Sequence, residues 1–217
     1  MKTLSASEIS NALEPYGATI GPATVEKIRA YIALLLKWNR SISLTTITDP
    51  VEVIRFHFGE SVFAASALKF AESRLADVGS GAGFPGLPLA LAVPGLHVTL
   101  IESNTRKCAF LSEVIRELNL PNANLFRGRM EEFPPGSANF DFIAARALGQ
   151  FDDLLKWSLS QLAPGGKVVL WLGDDDARKL SRAPGWTWDR PILIPGSKRR
   201  YLLAGSPAQG RPSDISR

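Results

Sequence analysis

The segment from Leu75 to Glu102, LADVGSGAGFPGLPLALAVPGLHVTLIE, constrains this chain more than any other. It reads as an apolar strand closed by Asp77, a loop carrying Gly79, Gly81, Gly83 and Gly86, a helix, and a second strand ending in an acid. Such a unit is half of a nucleotide-binding sheet. Glycines let the backbone turn tightly and approach a ligand, and an acid ending the second strand can accept hydrogen bonds from a ribose diol. Four glycines in eight residues are costly in chain entropy for a turn that two could make, which argues for a ligand rather than a bare strand-to-helix turn.

Two motif classes overlap here. Gly81-Ala82-Gly83-Phe84-Pro85-Gly86 satisfies the dinucleotide pattern GxGxxG, whereas Asp77-Val78-Gly79-Ser80-Gly81-Ala82-Gly83 has the glycine spacing of S-adenosylmethionine (SAM) sites. A dinucleotide would set its pyrophosphate on the helix N-terminus, where Pro85 removes one amide donor. SAM has no phosphate. Its carboxylate and ammonium need only a few amides, carbonyls and Asp77, so the early glycines and that acid fit SAM better.

The rest of the chain supplies the sheet. Val98–Ile101, Asn124–Phe126, Phe142–Ala145 and Lys167–Leu172 read as strands alternating with helices over residues 104–119 and 151–162, with Pro164-Gly165-Gly166 as a turn. This alternation specifies a parallel sheet covered on both faces. Trp186–Ile194 and Arg200–Ala204 are strand-like, but Pro195-Gly196-Ser197 leaves no room for a crossover helix, so they form an antiparallel hairpin. Dinucleotide folds usually complete their second half with parallel strands; the expected fold is therefore α/β, a Rossmann-like class I SAM methyltransferase sheet ending in an antiparallel hairpin. Ahead of it, Val25, Ile28, Ile32, Leu35 and Leu36 recur at helical spacing between Pro22 and Arg40, Pro50 opens a second helix through Phe58, and residues 60–70 read as a third. The expected division is a helical cap over residues 1–73, a methyltransferase domain over 74–205 and a flexible tail over 206–217.

With 217 residues, 45% of them apolar, the chain can bury one substantial core. Its single cysteine, Cys108, excludes an internal disulfide framework and a thiolate zinc site, and reads as a small buried hydrophobe. No metal is expected. The N-terminus lacks the order of a signal peptide and its longest apolar run, Ile32–Leu36, is too short to span a bilayer, so a soluble cytoplasmic monomer with no membrane partner is expected. A net charge of +4 suits an anionic partner, and Lys198-Arg199-Arg200 is the densest basic cluster and the candidate RNA-binding surface. Arg146, ending a buried strand, needs an anionic or carbonyl partner, because an unpaired buried charge is expensive.

Taken together, these residues resemble the 16S rRNA guanine-N7 methyltransferase family, also called glucose-inhibited division protein B. The resemblance runs through Leu35-Leu36-Lys37-Trp38-Asn39, Ser43-Leu44-Thr45, His57-Phe58-Gly59-Glu60-Ser61, residues 77–86, Glu102-Ser103-Asn104, Phe110-Leu111, Gly128-Arg129-Met130-Glu131-Glu132, Ala145-Arg146-Ala147, Pro164-Gly165-Gly166 and Arg200-Tyr201-Leu202. It implies methylation of guanine N7 in the 530-loop region of 16S rRNA, as free RNA or within a small-subunit particle. It also implies a SAM site in which Gly79 and Phe84 line the methionine side, Glu102 takes the ribose and Met130-Glu131 border the adenine, beside Asp77, Gly81 and Gly83, which the glycine loop itself offers as cofactor-binding residues. Arg146 completes that pocket by positioning the reactants. Three positions depart from the family pattern: Leu172 stands where a lysine is usual, Ala145 where a serine is, and Ser43 where an asparagine is. Guanine N7 carries a lone pair and no proton, so no general base is expected, and His57 and His97 read as structural. A noncatalytic RNA-binding module and an NAD-dependent oxidoreductase are the competing functions.

Overall fold

The computed structural model describes residues 4–18, 20–134, 139–147, 149 and 151–208. Its sheet has the order β3-β2-β1-β4-β5-β8-β6, with β7 paired to β8, for strands β1 (Arg74–Val78), β2 (His97–Glu102), β3 (Ala123–Arg127), β4 (Phe140–Arg146), β5 (Leu162–Gly173), β6 (Trp186–Trp188), β7 (Ile192–Leu193) and β8 (Arg200–Pro207). The first five are parallel, and β8 lies antiparallel to β5, β6 and β7. The hairpin read from the short Pro195–Ser197 connection is present. Register aligns Val78 with both Ile101 and Ala145, and Glu102 with Arg127, so the carboxyl ends of β1 to β4 form one edge. Ligands bind at such an edge, where the strand order reverses between β1 and its two neighbours.

Alternation along the strands divides the core in two. Leu75, Leu100, Ala144, Val169, Trp171, Leu202 and Ala204 join one cluster, with the N-terminal helices and with α5 (Gly86–Ala92) and α6 (Thr105–Glu117). Ala76, Ile101, Ile143, Ala145, Val168, Leu170, Leu172 and Leu203 join the other, with α7 (Phe151–Gln161) and α8 (Asp174–Leu180). The cap residues thus share a hydrophobic cluster with one face of the sheet.

Several boundaries differ from the sequence reading. A first helix, α1 (Ala6–Leu13), precedes α2 (Pro22–Trp38); it is started by a capping box in which the Ser5 hydroxyl accepts from Glu8 N and Ser5 N donates to the Glu8 carboxylate. The two helices expected after Pro50 are one run: α3 (Pro50–Val53), a π-helical turn Ile54–Gly59, and α4 (Glu60–Ala67). Gly59 does not break it. A Cβ there would strike the Tyr16 ring, so this glycine allows close packing rather than a turn. Residues 164–166 fall inside β5, and regular pairing resumes beyond a shift at Phe140/Phe142, with Phe142 opposite Lys167. The short helix α8 was not anticipated. Strand β8 continues through Ser206 and Pro207, where the tail was expected to begin, and residues 209–217 lie outside the described residues.

Candidate functional site

At the end of β1 the chain turns back on itself. Gly79 and Ser80 donate their backbone N–H groups to the Ile101 carbonyl, at 2.9 and 3.2 Å, tying the loop to β2. Gly81 N donates to one carboxylate oxygen of Glu102 at 2.9 Å, and Asn104 N donates to the other at 2.8 Å. Glu102 is thereby fixed in place. A carboxylate has about four lone-pair sites, so these two bonds leave it able to accept from a ligand's hydroxyls. Around it lies a cavity of about 210 Å³ lined by Val78, Gly79, Ile101, Glu102, Ser103, Gly128, Arg129, Met130 and Glu131. Asp77 is buried beneath the loop: one oxygen accepts from Gly86 N at 3.0 Å and the other has no hydrogen-bond partner. Burial pushes its carboxyl up to about 7, against the pull of the Gly86 amide.

The far side of the glycine loop packs against the cap. Tyr31 donates its buried hydroxyl to the Ala82 carbonyl at 2.6 Å, and its ring stacks on Phe84 with 5.5 Å between centroids. The His57 ring lies on Phe84 at 4.6 Å, while His57 Nε2 and the Thr45 hydroxyl share a hydrogen bond of 2.7 Å. Burial, reinforced by Arg146, lowers the His57 pKa to about 4, which leaves the ring neutral at neutral pH. Asn39 organises the adjoining loop by accepting from Leu44 N and Thr45 N and donating to the Thr45 carbonyl.

Along the same side of the sheet, at the ends of β4, β5 and β8, a second cavity of about 280 Å³ is lined by residues including Arg146, Phe151, Trp171, Leu172, Ile194 and Arg200. Arg146 is partnered through Nη2, which donates to the Phe56 carbonyl at 2.7 Å and to Glu60 at 3.0 Å, while its Nη1 has no hydrogen-bond partner. The Trp171 indole donates to the Glu60 carbonyl at 2.6 Å. Among the described residues no group of three or more His, Cys, Asp and Glu is placed to hold a metal ion, and no helix is long and apolar enough to cross a membrane.

A family model described as "GidB: rRNA small subunit methyltransferase G" matches residues 24–185. The chain belongs to this family. It is similar to Ribosomal RNA small subunit methyltransferase G of Chromobacterium violaceum, 34% identical over 205 residues that cover 93% of this chain and 97% of that one. The protein of the same name from Sorangium cellulosum is 38% identical over 182 residues, covering 82% and 76% of the two chains. Solved structures agree on the fold. A SAM dependent methyltransferase from Aquifex aeolicus superposes with a TM-score of 0.60 at 16% identity, over 72% of this chain and 93% of that one. The glycopeptide N-methyltransferase MtfA with SAM bound gives 0.57 at 16% identity, over 69% and 86%.

The first cavity brings together Gly79, Glu102, Met130 and Glu131 from three separate sequence motifs. Asp77, in β1, lies beneath the loop that carries Gly81, and a Cβ built on Gly81 would meet only the Gly79 carbonyl, at 3.7 Å. Gly83 and Phe84 are not among the residues lining this cavity. A side chain at Gly83 would run into the Tyr31 hydroxyl and Leu87, and Phe84 is covered by Tyr31, His57 and Phe58, so both serve the contact between loop and cap. Arg146 lines the second cavity rather than the first. In the basic cluster, Lys198 and Arg199 are exposed, but Arg200 is not a free surface cation: it pairs with buried Glu60 at 2.6 Å and stacks over Phe56. Leu172 is buried among the α7 and α8 side chains. Tyr31, Phe56, Glu60 and Trp171 had no individual role in the sequence reading, and only Glu60 carries a chemical signal, the one charged residue of α4.

Proposed function

We propose that this protein methylates guanine N7 in 16S rRNA of the small ribosomal subunit, in the 530-loop region, using SAM. The observation that carries the reading is the cavity beside Glu102, at the carboxyl ends of β1 to β3, in a chain of the rRNA small subunit methyltransferase G family. The residues present suit SAM: Glu102 retains acceptor capacity toward a ribose, Gly81 leaves open space, and Asp77 keeps an unpartnered buried oxygen that an ammonium would satisfy. When bound, SAM supplies an electrophilic methyl group on its sulfonium.

Guanine N7 offers a lone pair and holds no proton in the neutral base, so what the protein must contribute is alignment and electrostatics. Neutral His57, stacked under Phe84, holds the loop and takes no proton. Arg146 supports the acceptor side as a fixed cation at the mouth of the second cavity. Lys198 and Arg199, exposed on the turn before β8, suit phosphate contacts. We read the working form as a cytoplasmic monomer, which light scattering of the purified protein would check.

The decisive experiment is mass spectrometry of nuclease-digested 16S rRNA from cells with and without this gene. Loss of one N7-methylguanosine, restored by the purified protein and SAM acting on small-subunit RNA or particles, is the expected result. An unchanged nucleoside map refutes the reading. Protein that binds RNA yet transfers no methyl to any small-subunit substrate would instead indicate a noncatalytic role.

A further inference from the structure

Glu60 is a carboxylate with 1% of its side chain exposed, set between two arginines. Its Oε2 lies 3.0 Å from Arg146 Nη2 and its Oε1 lies 2.6 Å from Arg200 Nη2. The surrounding contacts come from distant parts of the chain. The π-helical turn supplies Phe56, whose carbonyl accepts from Arg146 and whose ring lies 4.9 Å from the Arg200 guanidinium carbon. Strand β5 supplies Trp171, whose indole is anchored on the Glu60 carbonyl. Two guanidiniums converging on one carboxylate leave the group with a net positive charge.

For stability alone this arrangement gains little. Replacing a buried ion network by well-packed apolar side chains is often neutral or stabilising, so the network calls for another use. It is also incomplete on the protein side: Arg146 Nη1 and Arg200 Nε have no hydrogen-bond partner. The Arg200 side chain is 43% exposed, and both arginines line the second cavity. Without Glu60, the two cations would repel and Arg200, held otherwise only by the Phe56 ring and its own backbone, would turn outward.

We propose that Glu60 is a positioning residue for methyl transfer, holding Arg146 and Arg200 side by side as a cationic wall against an oxygen of the acceptor nucleotide. The inference rests on the function proposed above and adds how the acceptor is held. Placement next to a π-helical turn fits this role: the turn sets Phe56 against both arginines and His57 against the glycine loop, and Glu60 follows it as the first residue of α4.

The test begins with wild-type methyl transfer to small-subunit RNA and particles. Glu60→Gln keeps the size of the side chain and removes its charge; it should lower kcat at least tenfold while SAM affinity by calorimetry stays within twofold. In an Arg200→Met background, Glu60→Gln should add less than fivefold, because the acid has lost one of the two groups it holds and still holds Arg146. Wild-type kcat in Glu60→Gln, or losses that simply multiply in the double variant, overturn the proposal. Circular dichroism and a melting curve establish that each variant is folded. Should Glu60→Gln fail to fold, Arg200→Lys keeps the charge and loses the planar fork at a half-exposed site; a fivefold or greater loss in kcat/KM for RNA with unchanged SAM affinity supports the proposal, and full activity overturns it. A wild-type protein inactive on every small-subunit substrate would instead take down the function reading, and this inference with it.

Discussion

Asp77→Asn should make the ligand-free protein more stable at alkaline pH while weakening its hold on SAM. The carboxyl is fully buried; its one hydrogen bond comes from Gly86 N at 3.0 Å, and burial raises its pKa to about 7. An unfolded Asp titrates near pH ~3.9. With the folded value above the unfolded one, this group contributes stability that is complete below about pH 4 and is lost as pH rises through about 7. At about 1.4 kcal/mol per unit the full loss is on the order of 4 kcal/mol, of which roughly 3 kcal/mol falls between about pH 5 and pH 8. The amide of the variant does not titrate. Its oxygen can keep the Gly86 bond, but its nitrogen enters the place of an unpartnered oxygen, at a cost of about 1–3 kcal/mol. The variant should therefore gain roughly 3 kcal/mol on wild type between about pH 5 and pH 8, ending about 1–3 kcal/mol more stable at the upper end. Urea unfolding of both proteins across that range measures the difference, and Glu60 and His57, which also shift, cancel because both proteins carry them. Parallel stability curves would refute the buried-charge argument. SAM affinity should fall at least tenfold, and an unchanged value would remove Asp77 from the cofactor site.

Gly81→Ala and Gly83→Ala should separate ligand space from packing. Both sit at positive φ, +58° and +87°, costing about 1–2 kcal/mol for a side chain, but only at Gly83 does the added Cβ collide with Tyr31 and Leu87, raising the loss to about 2–5 kcal/mol. Chemical denaturation should rank them so, with Gly81→Ala nonetheless impairing SAM binding; equal destabilisation would undo the distinction. Lys198→Glu with Arg199→Glu should weaken RNA binding and flatten its salt dependence by up to about 0.7–0.9 for each phosphate no longer neutralised, leaving SAM affinity intact. Arg200 stays out of that variant because an acid there would face Glu60. Identical salt slopes would make the turn a solvated edge. Leu172→Lys should cost about 2–4 kcal/mol by calorimetry, since the side chain is buried, and a stable variant with tighter RNA binding would show that the strand end is open.

What could be read from the chain follows from how far each interaction reaches along it. The parallel strands announce themselves because both faces are covered, which makes Val168-Val169-Leu170 or Phe142-Ile143-Ala144 apolar throughout, and the short Pro195-Gly196-Ser197 turn between β7 and β8 forces the hairpin. The donor side is legible for a related reason: Gly79, Glu102 and Met130-Glu131 each follow a strand end, and the parallel register brings those ends together. Short amphipathic helices were harder. The α1 start is written in Ser5 and Glu8, with Ile9, Ala12 and Leu13 at helical spacing over only two turns, and α8 in three aspartates followed by Arg178 and Lys179, where Ala177 and Leu180 alone are apolar and give too short a period to read.

The orientation of the glycine loop could not be read locally, because GxGxxG does not say which glycine faces a ligand and which faces a neighbouring helix. Gly81 opens to space and Gly83 to Tyr31, a residue 51 positions before the carbonyl it bonds. The acceptor side lies further still from sequence reading, since Glu60 meets Arg146 across 86 residues and Trp171 across 111. The same π-helical turn presents His57 to Phe84 and Phe56 to Arg146, so the cap is packed against the glycine loop and hydrogen-bonded to the end of β4 through adjacent residues. A helix that looks from its composition like simple cover therefore fixes both edges between which a methyl group would pass, and its apolar residues cannot be exchanged freely without moving one edge relative to the other.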